Sequence, residues 1–329
     1  MRTTIKNELL LVLVTFIWGS CLVAQKFGLA NLGPITFFCT RSGIGAIFLG
    51  VIVATRYLRG KCSSKNADKL SEVSACNESG GVKHSLRNTI KGGVCCGIAL
   101  FLAGATQQIG VLYTTAGKAG FITSLYVVIV PLLGIFMGRR IKALMALCIA
   151  FTVVGLYLLC VPRGEFSFAS FQKGEVLVLI CALFFAIHII LVDKFTPYAD
   201  SILMSCVQFA TVVVIAFPLM FVIDPNLMVQ GQNYHYTIPN LDDLCASAIP
   251  LLYAGVLSSG IAYTLQIKAQ NVINPVIVSL ILCCESVFAA VCGAIMLQEM
   301  MSIREIIGCV IMFVSIAATK LIQLKDGSE

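Results

Sequence analysis

The sequence predicts an all-α polytopic membrane protein of ten transmembrane helices, arranged as two inverted five-helix repeats. Three observations predict it: too little charge for a soluble globule, apolar runs recurring along the whole chain, and an odd number of such runs in each half. Of 329 residues, 58% are hydrophobic and 12% charged. A soluble domain of ordinary composition carries about 25% charged residues and about 45–50% apolar ones. Disorder is excluded as well, because it needs low hydrophobicity and high net charge.

The runs lie at 9–25, 34–54, 92–112, 118–138, 143–161, 175–192, 200–222, 245–266, 275–297 and 303–322. Each is long enough to cross a hydrocarbon core of roughly 30 Å at about 1.5 Å per residue. None alternates apolar with polar residues as a barrel strand would, so they read as helices. Residues 1–25 begin like a signal peptide, with Arg2 and Lys6 before an apolar stretch. The repeat described below needs this run as its first helix, so the reading is an uncleaved span.

Basic residues set the orientation. With the N-terminus inside, 17 Lys and Arg fall on inner segments and 5 on outer ones, a positive-inside pattern that places both termini in the cytoplasm of a plasma-membrane protein. The net charge of +7 is therefore a topology signal, and no nucleic-acid partner is expected. Two loops are long. Residues 55–91 are inner, polar and basic, rich in Ser, Asn and Gly around Ser63–Gly81, and suited to the anionic leaflet surface. Residues 223–243 are outer and carry Asp224, Asp242 and Asp243. The acceptor pattern Asn77-Glu78-Ser79 falls on the inner side and is expected to be silent. Fifteen cysteines are scattered without a C-x-x-C pair, so neither a disulfide framework nor a metal site is expected, and Cys reads as a small packing residue.

The halves echo each other. At an offset of 168, Phe16, Lys26 and Phe27 meet Phe184, Lys194 and Phe195; at 158, Gln108-Ile109 meets Gln266-Ile267. Five spans per half place the second half upside down, giving a first repeat over 1–162 and a second over 163–329. Inverted repeats of this kind are characteristic of secondary transporters, with the substrate near the midplane between the repeats.

Residues 107–140, QQIGVLYTTAGKAGFITSLYVVIVPLLGIFMGRR, resemble the fourth-helix region of the EamA family, within the drug/metabolite transporter superfamily. Trp18-Gly19-Ser20 in the first helix and Pro34 followed by Arg41 in the second are similar to it too, as is Ser279–Glu299, SLILCCESVFAAVCGAIMLQE. Ser286 and Gln298 stand where many members have Pro and Gly. The resemblance covers nearly the whole chain as two EamA units. It implies a central substrate cavity, alternating access and export of small organic metabolites or drugs, and leaves the substrate open.

Ionisable groups within a bilayer cost about 2.5–3.5 kcal/mol at a helix centre, so they are the first candidates for function. Arg41 and Glu285 lie well inside spans. Glu285 is ten residues past Pro275, roughly 15 Å into its helix. A carboxyl there can take up a proton reversibly, as a proton-coupled carrier requires; its alternatives are a neutral side chain bonded to a neighbouring helix and a permanent pair with Arg41. Arg41, about 10 Å from its helix end, suits a substrate carboxylate or phosphate or a structural bond. His188 reads as a buried neutral side chain or as a proton relay, the latter needing an acidic neighbour such as Asp193.

Polar stripes at helical spacing add further candidates: Ser201, Ser205 and Gln208; Ser259, Tyr263 and Gln266; Trp18, Cys21 and Gln25; and Gln107 with Gln108. They face the bundle interior, to line a wet cavity or to bond helix to helix. Trp18 and Tyr126 offer stacking surface to an organic solute. Small residues four apart, such as Gly93/Gly97 and Gly255/Ser259, mark close helix contacts. Pro131 and Pro218 lie inside spans and are expected to kink them.

No phosphate-binding loop, H-E-x-x-H or G-x-S-x-G pattern occurs, so ATP-driven transport and the common hydrolases have no support, and the chain is not expected to be an enzyme. The reading is a secondary active transporter, proton-coupled through Glu285, with a small-molecule substrate, protons and the lipid bilayer as partners, no cofactor, and a monomer or homodimer as its state. The competing reading is a non-transporting receptor or scaffold that binds a partner through 55–91.

Overall fold

In hydrocarbon every backbone N–H and C=O must bond within its own segment, and the apolar runs accordingly become helices. The computed structural model describes residues 2–29, 31–63, 85–114, 116–139, 142–161, 173–227, 240–296 and 302–325. Asn77, most of the basic insert, the expected repeat boundary at 162/163 and the middle of the 223–243 loop lie outside the described residues.

The first half comprises α1 (Arg2–Gly28), α2 (Pro34–Ser63), α3 (Leu86–Val111), a span in two pieces, α4 (Ala116–Ser124) and α5 (Tyr126–Phe136), and α6 (Ala143–Cys160). The second comprises α7 (Lys173–Phe195), α8 (Ser201–Ile223), then a short α9 (Leu241–Ala246) and α10 (Ala248–Leu252) leading through a π-helix (Tyr253–Ala262) into α11 (Tyr263–Gln270). It closes with another span in two pieces, α12 (Pro275–Leu282) and α13 (Cys284–Met296), and with α14 (Ile303–Lys325). Among the described residues nine segments are long and apolar enough to cross a membrane, and α14 stands in the tenth position. The loop expected from residue 55 begins later, because α2 runs on to Ser63.

Helix starts follow local chemistry. Pro34 and Pro275 sit at first helical positions, where a missing N–H costs nothing. Asp200 Oδ1 accepts from Leu203 N at 2.8 Å and Asn274 Oδ1 from Val276 N at 3.0 Å, each satisfying an amide that the helix leaves open.

Cross-links define two faces. On the face of the N-terminus, Ser85 N donates to Tyr198 O (3.1 Å), Asp200 N to Thr89 Oγ1 (3.2 Å) and Thr196 Oγ1 to Ile267 O (2.9 Å). On the opposite face, Asp224 meets the start of α2, and Thr114 Oγ1 donates to Glu175 Oε1 (2.8 Å).

Packing respects the exchange of the two halves. Numbering the spans in order, 3 packs on 6 as 8 packs on 1; 3 on 7 as 8 on 2; and 4 on 6 as 9 on 1. Spans 2 and 7, 4 and 9, and 5 and 10 pair with their own counterparts. The two-repeat architecture read from the sequence accounts for this pattern.

The symmetry extends to the broken spans. The fourth is interrupted at Leu125 and the ninth at Cys283, which are related by the 158-residue offset of the Gln-Ile pair. Both interruptions are tightened turns: Leu125 N donates to Ile122 O at 3.1 Å and Ser286 N to Cys283 O at 3.2 Å, each three residues back. The breaks touch. Cys283 Sγ donates to Ser124 O at 3.7 Å, and the hydroxyls of Ser124 and Ser286 lie 3.1 Å apart. Pro131 lies six residues past the Leu125 interruption, inside an unbroken α5, so it does not cause the break. Pro218 likewise sits within a continuous α8.

Candidate functional site

A cavity lies where the two repeats meet, at the level of the breaks. It encloses about 650 Å³ free of protein atoms, part of it open to solvent. Its wall is built from α1, α2, α3, α7 and spans 4, 8 and 9. It reaches Gln25 and Gln107, each about one turn from its helix end on the face opposite the N-terminus.

Eight of the sequence candidates line it: Glu285, Arg41, His188, Trp18, Gln25, Gln107, Tyr126 and Tyr263. Arg41 is 7% exposed, its guanidinium 4.9 Å from the Phe38 ring centroid and its Nε buried without a hydrogen-bond partner. Glu285 follows the Cys283 break and is partly accessible through the cavity. Among the described residues no ion pair joins Arg41 to Glu285, so the permanent pair allowed by the sequence is not what the structure contains. Tyr263 is the hub of the aromatic wall: its ring lies 4.6 Å from Trp18, 5.3 Å from Phe209 and 6.0 Å from His188, centroid to centroid.

The remaining four candidates stand behind the wall. Gln108 Nε2 donates to Gln25 Oε1 at 3.3 Å. Gln208 Oε1 and His188 Nε2 lie 2.9 Å apart, within hydrogen-bond reach. Ser205 is fully buried on the same helix. Ser259 packs against α2, where a β-carbon on Gly45 would come within 2.7 Å of its own. Asp193, the acidic neighbour that a His188 relay would need, pairs instead with Arg139 at 2.6 Å. Asp224, expected in an outer loop, is 1% exposed.

Several lining residues escaped the sequence reading. Phe38, Phe185, Leu100 and Leu282 look like ordinary span residues. Ser258 takes the place expected of Ser259. Gln266, seen only as part of a stripe, faces the cavity and closes it toward the N-terminal face. Its Nε2 donates to Gln270 Oε1 (3.0 Å), and Gln270 Nε2 to Ile189 O (3.2 Å). The arrangement can hold a small organic solute between aromatic rings and two opposite charges.

Comparison with known proteins agrees with this geometry. The pattern of the EamA-like transporter family matches residues 5–161 and again 172–320. A protein of Archaeoglobus fulgidus described as an uncharacterized transporter is 24% identical over 317 residues, which is 95% of this chain and 85% of that protein. A protein of known crystal structure, 14% identical, superposes with a TM-score of 0.71 over 98% of this chain and 99% of its own, a likeness of fold.

Proposed function

The chain belongs to the EamA-like transporter family, and from that premise we propose that it is a secondary active transporter that carries a small organic solute through the central cavity by alternating access. Supporting the reading most directly, Arg41 and Glu285, charges far inside the apolar spans, both face that one cavity between the repeats. The positive-inside pattern of the sequence supports a cytoplasmic N-terminal face, and the membrane is taken to be the plasma membrane. The cavity then reaches toward the outside and is closed inside by the Gln266–Gln270 contact and the Arg139–Asp193 pair. Transport is outward, in exchange for protons carried by Glu285. Arg41, His188, Tyr126 and Tyr263 share the cavity with that carboxyl.

The test uses purified full-length protein in liposomes preloaded with a mixed pool of small metabolites, with efflux read by mass spectrometry. At least one solute is expected to leave faster than from protein-free liposomes, and an inward proton gradient to speed it. No movement under any gradient rules out a carrier. Flux that ignores the gradient removes the coupling and keeps the carrier. Glu285→Gln is expected to retain downhill exchange and lose accumulation against a concentration gradient; retained uphill transport removes Glu285 as the proton's site.

A further inference from the structure

The N-terminal face carries a basic patch, far from the cavity, that solute transport does not use. Helix α2 has 30 residues, about 45 Å at 1.5 Å per residue, against a hydrocarbon core of roughly 30 Å. Its last turns therefore pass through the headgroup layer. Arg56 stands 22 residues after Pro34, roughly 33 Å along the helix, and Arg59 lies one turn further. Residues 54–59 are all exposed. The turn that joins α7 to α8 sits between this end of α2 and the start of α3. Arg56 Nη1 lies 3.9 Å from Asp200 Oδ2, while Ser85 N donates to Tyr198 O at 3.1 Å and Asp200 N to Thr89 Oγ1 at 3.2 Å. On α3, Arg87 and Lys91 are exposed, one turn apart, on the side away from the buried Thr89, Gly92 and Gly93. Four cations thus flank one turn. Asp200 is the sole carboxylate that pairs with any of them among the described residues.

Packing brings the two halves of this patch together. The half of α8 nearer the N-terminal face, residues 201–209, exposes nothing, whereas Val214, Phe217, Phe221 and Val222 further along are exposed. Helices α2 and α3 therefore close over α8 at this end. The exposed rings of Tyr57 and Tyr198 mark the depth, because tyrosines gather at the boundary between membrane and water. Nearer the bilayer centre α2 exposes Ile47 and Val51, and α3 exposes Ile90, Val94 and Ile98, an apolar surface for acyl chains. We propose that the patch binds an anionic phospholipid of this leaflet, its phosphate held by Arg56 and Arg59 from α2 and by Arg87 and Lys91 from α3. The guanidinium fork matches two phosphate oxygens, and the half-exposed contact of Arg56 with Asp200 is a weak competitor. A choline headgroup fits worse: it adds a cation where the one nearby carboxylate is already engaged.

The test adds phosphatidylglycerol or phosphatidylcholine with the same acyl chains to the full-length protein in detergent, and reads affinity from the rise in apparent unfolding temperature. Phosphatidylglycerol is expected to bind at least fivefold more tightly, with a preference that shrinks as salt is added. Arg56→Gln with Arg59→Gln, and separately Arg87→Gln with Lys91→Gln, are each expected to weaken it at least fivefold. Lys194→Gln with Lys268→Gln removes the same charge from exposed positions on the same face and is expected to leave binding unchanged. Equal loss from that control means diffuse attraction to a positive face and overturns the site. Equal affinity for the two lipids overturns it too, as does inorganic phosphate that stabilises the protein as well as phosphatidylglycerol does. A photoactivatable phosphatidylglycerol in liposomes locates the lipid on the unmodified protein, whether or not the variants fold. Labelling is expected on residues 54–59 and 86–91, and labelling spread evenly over the N-terminal face overturns the proposal.

Discussion

Asp224 shows how a single carboxylate ties the repeats together. It follows α8 in a stretch that, with Pro225 next to it, reads as outer loop. The fold buries it and aims it at the first turn of α2. There it accepts the amides of Ile35 and Thr36 at 3.0 and 2.7 Å and the Thr36 hydroxyl at 2.7 Å. A helix start favours negative charge, because its first amides have no intrahelical partner. Gly33 makes the approach possible, since a β-carbon there would run into the carboxylate. Asp224→Asn, which replaces one accepting oxygen with a donor, is expected to cost about 1–3 kcal/mol, and Gly33→Ala to destabilise as well. Both are read as a lower apparent unfolding temperature in detergent, and an unchanged temperature in both variants refutes the cap. The start of α2 was legible from Pro34. Its cap was not, because nothing local marks a partner 188 residues away. Arg41 and Glu285 were legible for the opposite reason: a charge inside an apolar run is conspicuous wherever the chain folds. Phe38 and Phe185 were not, since an aromatic that lines a cavity and one that packs look alike in sequence.

At the scale of the element, the π-helix Tyr253–Ala262 decides which serine meets the cavity. The stripe Ser259, Tyr263, Gln266 assumes α-helical periodicity, but π turns bond five residues apart and rotate the face with respect to that spacing. Tyr263 and Gln266, just beyond the π stretch, face the cavity as expected; within it, Ser258 does so and Ser259 turns to Gly45 on α2. Two neighbouring substitutions therefore have different consequences. Ser258→Leu is expected to reduce solute flux at least several-fold with little change in unfolding temperature. Ser259→Leu is expected to cost about 1–3 kcal/mol through overpacking against α2, read as a lower unfolding temperature. Equal effects of the two on both readouts contradict the assigned register. Helix contacts were only partly legible. Gly93 and Gly97 do meet α8, yet the closest approach of α6 and α14 uses Gly155 and Gly308, each opposite the other's carbonyl oxygen, and no four-residue spacing announces it.

For the whole molecule, the alternating access proposed above requires that the N-terminal face open as the other closes. On that face the end of α5 is held to the end of α7 by Arg139 and Asp193, 2.6 Å apart with side chains 41% and 20% exposed. Such half-exposed pairs contribute only about 0.2–1 kcal/mol, a strength suited to a contact that breaks in every cycle. Gly138 precedes Arg139 with φ of 83°, a conformation that glycine adopts without strain and that turns the chain at the end of α5. Span 4, to which Arg139 is attached, is one of the two broken spans that touch at the level of the cavity. Release of this pair removes one of the contacts that hold the piece of the span between the break and the N-terminal face. Asp193→Asn removes the charge attraction while keeping the size of the side chain. Spin labels on genetically encoded residues at positions 137 and 194 report the separation of the two ends. The variant is expected to shift their distance distribution toward longer values without solute present, and added salt to shift the unmodified protein the same way, because a half-exposed pair is screened. Distributions unmoved by both the substitution and salt would mean that closure of this face rests on the buried contacts of Gln266, Gln270 and Thr196 instead.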